Sequence, residues 1–154
     1  MGRASGHDSG ALILLDTNVV VDAQNKASSF YSWSNQLIAE GSSGDGVAIN
    51  AITLGELCSE ARVDSETLEA ELHRADIRII DVPARAAAIC GRAYKHYRSA
   101  RRKSGGGKAP SIPLPDFFIG AHAQLMGWKL ATRDVERYRT YFPTVELIEP
   151  ASVS

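Results

Sequence analysis

Cysteine is scarce in this chain. Cys58 and Cys90 are the only two in 154 residues, too few for a disulfide framework. Both fall in segments with amphipathic helical spacing, which predicts buried free thiols in a reducing compartment. Long hydrophobic runs are missing too, since none approaches the roughly 18 residues that a membrane span requires. Residues 1–10 hold no apolar stretch and do not read as a secretory signal, so the expected location is the cytoplasm. Net charge is nearly absent, at −1 from 17 Lys plus Arg against 18 Asp plus Glu. What remains is 44% hydrophobic and 23% charged, an ordinary folded composition that excludes disorder and collagen-like repeats. The length suits one domain with a real core.

A further absence is local. No carboxylate occurs between Asp81 and Asp116, whereas Arg85, Arg92, Lys95, Arg98, Arg101, Arg102, Lys103 and Lys108 all do. That stretch carries +8, and the rest of the chain carries −9. In its densest part, residues 94–103, the cations interleave with Tyr94, His96 and Tyr97. Such a run suits phosphate contacts with rings available for stacking, and Arg98, Arg101, Arg102, Lys103 and Lys108 are its candidate nucleic-acid-binding residues. The competing reading is a solvated helix end whose cations complement the helix dipole.

Periodicity organises the remainder. Residues 1–10 are Gly- and Ser-rich and aperiodic, and they read as a flexible tail before a single domain over 11–150, with 151–154 as a C-terminal tail. The apolar run 11–15 reads as a strand buried on both faces. Helix in two pieces reaches about Glu40 and ends at Gly41, with a turn-rich loop over 41–46. Further strands are expected at 47–50, 77–82, 129–132 and 145–148. Helices are expected at 51–62, 64–75, 83–103, 116–127 and 133–141. Alternating strands and helices imply an α/β fold, a three-layer α/β/α sandwich around a mainly parallel five-stranded sheet.

In such a sheet the strand carboxyl ends and helix amino ends share one edge, where ligands bind. Asp16 directly follows the first strand, Asp134 lies just past the fourth, and Asp116 opens its helix. Glu56 sits in the second turn of the helix after strand two, off the apolar stripe of Leu54, Leu57, Cys58 and Ala61. Side chains tilt toward a helix amino end, so Glu56 can reach the same edge. Clustered carboxylates repel unless protonated or neutralised by a cation. Hard oxygen ligands suit Mg²⁺ or Mn²⁺, which can activate water and offset charge on a phosphodiester. Taken singly, Asp16, Asp116 and Asp134 are also plausible helix N-caps. His7, His73, His96 and His122 show no metal spacing. Gly105-Gly-Gly-Lys108 lacks the strand before it and the hydroxyl residue after it that a phosphate loop needs.

The segments Leu14-Leu-Asp-Thr-Asn-Val-Val-Val-Asp22, Leu54-Gly-Glu-Leu57, Pro115-Asp-Phe-Phe-Ile-Gly-Ala121 and Ala131-Thr-Arg-Asp134 resemble the successive motifs of PIN domains. The block Thr132-Arg-Asp-Val-Glu-Arg-Tyr-Arg-Thr-Tyr-Phe-Pro143 is similar to VapC-type toxins of bacterial toxin–antitoxin pairs. The resemblance implies a metal-dependent endoribonuclease that leaves a 3′-hydroxyl and a 5′-phosphate, with water as nucleophile. It implies catalytic Asp16, Glu56, Asp116 and Asp134, with Asp16, Asp116 and Asp134 around Mg²⁺ or Mn²⁺. Asn18 and Thr132 match positions that orient the carboxylates or water. It also implies a homodimer and a small VapB-like antitoxin. Asp22 and Glu136 are further acids near these motifs and read as structural or surface residues. Two other functions fit parts of the pattern. A haloacid-dehalogenase-like phosphatase also places Asp after strand one, but needs a second Asp where Asn18 stands. A catalytically silent PIN scaffold would bind RNA or a partner without cutting.

Overall fold

The computed structural model describes residues 12–151. The Gly- and Ser-rich start and residues 152–154 of the expected C-terminal tail lie outside that range. In chain order the elements are β1 (Ile13–Leu15), α1 (Thr17–Ala23), α2 (Tyr31–Ser43), β2 (Val47–Asn50), α3 (Ala51–Glu60) and α4 (Ser65–Arg74). They continue with β3 (Ile77–Ile80), α5 (Ala86–Lys103), α6 (Pro115–Met126), β4 (Lys129–Ala131), α7 (Glu136–Tyr141) and β5 (Leu147–Ile148). All four strand pairings are parallel, in the order β3-β2-β1-β4-β5. Parallel neighbours need crossover connections, and the intervening helices supply them.

Alternation along the strands sorts the core into two layers. Leu14, Ala48 and Leu130 face one side, with Cys90 and Tyr94 of α5, Phe117 and Ile119 of α6, and Tyr138 of α7. Leu15, Val47, Ile49 and Ala131 face the other, with Val19 and Val20 of α1, Ile38 of α2, Leu57 of α3, and Leu68 and Leu72 of α4. Helices α1–α4 thus cover one face and α5–α7 the other, which completes the α/β/α sandwich.

Several boundaries differ from the sequence reading. Helix α2 runs through Gly41 to Ser43, because Gly41 packs rather than terminates: a Cβ there would collide with Val47. Pro83 does not open α5. Its carbonyl accepts from Ala86 N at 2.9 Å, in a turn before the helix. Cys90 is buried as expected, but Cys58 is exposed, since the buried face of α3 is set by Thr53 and Leu57.

Gly120 of α6 packs closely against Phe142, the residue that follows α7. A Cβ at this position would overlap the Phe142 ring, whereas one at Gly91 on α5 would meet open space. Gly-to-Ala in a helix normally gains up to about 1 kcal/mol, and Gly91→Ala should do so. Gly120→Ala should instead lose about 1–3 kcal/mol through overpacking. Urea denaturation of the two variants checks the opposite signs.

Candidate acidic cleft at the strand carboxyl ends

The site begins with strand pairing. Leu15 is in register with Ala131, and Asp16 N donates to the Ala131 carbonyl at 2.9 Å. The residues that follow, Asp16 and Thr132, are therefore held side by side. The Thr132 hydroxyl donates to Asp16 Oδ2 at 2.8 Å, and Asn18 Nδ2 donates to the same oxygen at 3.2 Å. Asp16 Oδ1 accepts from Thr17 N at 2.8 Å, so Asp16 also caps α1. Thr132 Oγ1 accepts from Asp134 N at 3.0 Å, and Asn18 Oδ1 accepts from Arg133 N at 3.3 Å. Asn18 and Thr132 thus lie against Asp16 and shape the turn that carries Asp134.

Glu56 reaches this edge through the start of α3. Asn50 ends β2 and caps α3 by accepting from Ile52 N and Thr53 N. Its amide also meets the Nδ1 of buried His122 at 3.2 Å. One turn on, Glu56 Oε1 accepts from the Thr17 hydroxyl at 2.5 Å, which ties α3 to the residue after Asp16. Asp116 is the second residue of α6, after Pro115, and that helix has no side-chain cap. Asp134 does not cap α7 either. Of the three acids that sequence allows as caps, only Asp16 serves as one.

Asp16, Glu56, Asp116 and Asp134 line one cleft of about 470 Å³, together with Asn18, Val21, Leu114 and Arg137. As the side chains stand, no three carboxylates, histidines or cysteines among the described residues converge into a metal-ligand set. The expected trio Asp16, Asp116 and Asp134 shares a cleft but does not converge on a point. The physical reason is mutual repulsion together with a competing partner. Arg137 donates to Asp116 Oδ2 at 2.9 Å, and its guanidinium lies 5.0 Å from the Tyr97 ring centroid and 5.8 Å from that of Phe117. Asp116 Oδ1 remains buried without a hydrogen-bond partner. An orphaned carboxylate oxygen among three further acids is a donor set that fits a hard divalent cation.

Burial sets the electrostatics. It raises the Asp16 carboxyl above the ordinary value, opposed by the Thr132 and Thr17 hydrogen bonds. It also raises Asp116, opposed by Arg137 and reinforced by Asp134. Cys90 is pushed up to about 11 by burial and then by the Asp116 charge, so it is no thiolate nucleophile. His122 is lowered by burial and stays neutral.

The two further acids lie apart from the cleft lining. Asp22 is buried and bound to Arg133 Nε at 2.5 Å, and Arg133 also lies over the Phe30 ring. That pair anchors α1 to the turn after β4. Glu136 is exposed and borders an adjoining depression with Thr140 and Tyr141, whose lining shares Asp134 and Arg137 with the cleft.

The basic run meets the same edge. Tyr97 of α5 packs on Phe117, in the first turn of α6. Arg98 and Arg102 share a surface with Arg92, Lys95 and His96. Lys103 and Lys108 are exposed. Arg101 is engaged within the chain. Its guanidinium donates to the Gly106 carbonyl at 3.0 Å and to the Tyr97 hydroxyl at 2.9 Å, because the Gly-rich loop folds back over it.

Sequence reasoning missed Arg137, which has no motif signal of its own. Its place follows only from α7 packing against α5 and α6, the helix on which Tyr138 is 1% exposed.

Together these features define a class: parallel α/β/α domains that gather scattered carboxylates into a cleft at the strand carboxyl ends. The chain belongs to the PIN domain family, whose model matches residues 13–143. That membership sets aside the haloacid-dehalogenase-like reading. No curated protein matches the chain in sequence. Solved structures do. FitAcB from Neisseria gonorrhoeae is 25% identical, with 89% of this chain and 96% of that one covered and a TM-score of 0.57. VapBC2 from Rickettsia felis, bound to a DNA fragment from its promoter, is 24% identical over 91% and 99%, with a TM-score of 0.59. Mycobacterium tuberculosis VapC20, described as a toxin that cleaves the sarcin–ricin loop, is 16% identical over 86% and 98%, with a TM-score of 0.56. Among the described residues no helix is long and apolar enough to cross a membrane.

The raised Asp16 and Asp116 values make a signed prediction. Between the ordinary carboxylate value near about 4 and the raised folded values, the native state binds more protons than the unfolded chain. Stability therefore falls as pH rises through that window. A divalent cation should offset the buried charge once both acids are ionised. Mn²⁺ at about 100 times its Kd should add ~2.7 kcal/mol, roughly 5–10 °C in Tm at about pH 7.5. The gain should shrink toward zero near about pH 4. Thermal melts with and without Mn²⁺ at both pH values decide it, and an equal shift at both would place binding elsewhere.

Proposed function

We propose that this chain is a metal-dependent endoribonuclease and the toxin component of a type II toxin–antitoxin pair. The observation that carries the reading is the single cleft lined by Asp16, Glu56, Asp116 and Asp134, with a buried Asp116 oxygen left unpartnered. Membership of the PIN family and the likeness to VapBC and FitAB structures support it. Asp16, Asp116 and Asp134 would hold Mg²⁺ or Mn²⁺, with Glu56 tied to Thr17 beside Asp16. The ion, when bound, supplies charge compensation for the phosphodiester and acidifies a water nucleophile.

The chain's own residues do the rest. Asn18 and Thr132 hold the Asp16 carboxylate by hydrogen bonds to one oxygen, which leaves its orientation fixed. Val21 and Leu114 form apolar lining at the cleft. Arg98, Arg102, Lys103 and Lys108 offer phosphate contacts, while Arg101 acts through the loop and Tyr97. The assembly in this reading is a homodimer that a small VapB-like antitoxin holds inactive. A second reading has its own support: the hold of Arg137 on Asp116 and the lack of a converged ligand set suit a silent scaffold that only binds RNA or a partner.

Incubation of RNA with the purified chain separates the two. Mg²⁺ or Mn²⁺ should support cutting and EDTA should abolish it. Asp16→Asn and Asp116→Asn should each lose at least about 100-fold, since even outer-shell partners of a metal site cost 10–100-fold. Cleavage that survives EDTA would sink the metal mechanism, and no cleavage by a folded, ion-saturated chain would favour the scaffold. RNA affinity is tested separately. Arg98→Ala, Arg102→Ala and Lys103→Ala together should flatten the salt dependence by about 2 in log–log slope, at ~0.7 per single-strand phosphate contact. An unchanged slope would assign those cations to the helix dipole alone.

A further inference from the structure

Among the described residues, two basic side chains line the acidic cleft, Arg133 and Arg137. Arg133 is taken up by buried Asp22, which lies outside the lining. Arg137 instead holds one of the cleft acids, with Nη1 donating to Asp116 Oδ2 at 2.9 Å. No other acid of the lining pairs with a described basic residue. The hydrogen bonds to Asp16 and Glu56 come from the neutral residues Thr17, Asn18 and Thr132. Arg137 therefore supplies positive charge of the kind that clustered carboxylates require. The pair is partly open to solvent, at 37% for the Arg137 side chain and 25% for Asp116, so a dissolved ion can reach it.

The guanidinium also has a second place to rest. It lies 5.0 Å from the Tyr97 ring centroid and 5.8 Å from that of Phe117. A cation held on ring faces can leave its carboxylate without returning wholly to water. Asp116 meanwhile keeps its other oxygen, Oδ1, buried and without a partner. A divalent ion that takes up Oδ1 would share one carboxylate with the guanidinium. Like charges at that distance repel, so each weakens the hold of the other whether or not the guanidinium departs.

We propose that Arg137 is a built-in competitor for the divalent cation, whose guanidinium stands in for the ion at Asp116 and sets the ion concentration at which the cleft loads. The inference rests on the cation-binding reading given under the proposed function. It adds a restraint on that site that comes from the chain itself. Without the ion, the cleft is balanced by one partly exposed arginine. With it, a doubly charged ion takes over that role, and the rings keep the released guanidinium close.

Isothermal titration of the full chain with Mn²⁺ alone tests this on the wild type and on Arg137→Met, Arg137→Gln and Arg137→Lys. Arg137→Met should bind Mn²⁺ about three- to thirtyfold more tightly, less than a fully buried charged hydrogen bond would give because the pair is partly exposed. Arg137→Gln, which keeps a donor but no charge, should move the same way, and it decides the matter if a melt in EDTA shows Arg137→Met unfolded. Arg137→Lys keeps the charge and should gain less than either neutral variant. Binding by the neutral variants where the wild type shows none would also support competition. Equal affinity in all four proteins would overturn it. So would weaker binding by a folded neutral variant, which would make Arg137 a residue that holds Asp116 ready for the ion. A gain by Arg137→Lys as large as that of the neutral variants would assign the effect to shape rather than charge and overturn it as well. If none of the folded proteins binds Mn²⁺, the cation reading itself fails and this inference fails with it.

Discussion

The parallel pairing of β1 with β4 is the constraint on which the rest depends. Its register sets Leu15 beside Ala131, so the first residues beyond the strands, Asp16 and Thr132, meet although 116 positions separate them. One hydroxyl then does two jobs, since Thr132 donates to Asp16 and accepts from Asp134 N. A slip of one residue would send each of these side chains to the opposite face. It would also exchange the two core layers, because Leu14 and Leu15 pack on different helix sets. The hydrophobic alternation that builds the core therefore also aims the acids.

The carboxylates that result are an electrostatic burden, and the fold answers it unevenly. Asp16 is held by hydrogen bonds from Thr17, Asn18 and Thr132. Asp116 receives a guanidinium on one oxygen and nothing on the other. The guanidinium is in turn steadied by the rings of Tyr97 and Phe117, where cation–π attraction supplements the ion pair. Tyr97 then accepts from Arg101. A continuous line of contacts thus joins the acidic cleft to the basic run of α5.

How much of this was legible in the sequence depended on whether the signal was periodic. The alternating strands and helices and the edge shared by Asp16, Glu56, Asp116 and Asp134 followed from period and topology, because strand order constrains where loops emerge. Helix ends were read less well where packing overrode local chemistry. Gly41 looks like a stop but is a close-contact residue inside α2, and Pro83 precedes α5 by a turn. Arg101 looked like a free cation, yet the loop that captures it is a tertiary event. Arg137 is invisible for the same reason. A short helix after β4 is readable, but which of its residues turns toward the acids is set by α5 and α6.

A net charge of −1 is thus a poor guide to what the surface can bind. Charge of each sign is segregated along the chain, and the fold brings the two regions to one edge through Tyr97 and Phe117. Arg137 stands at the meeting point. A divalent cation that binds at Asp116 must share that carboxylate with Arg137 or displace it, so cation affinity here is a difference between two attractions rather than one. Freed from Asp116, the guanidinium would still be held against the rings of Tyr97 and Phe117, beside the cleft. The same residue that pairs with Asp116 therefore keeps a positive charge at the rim of the cleft.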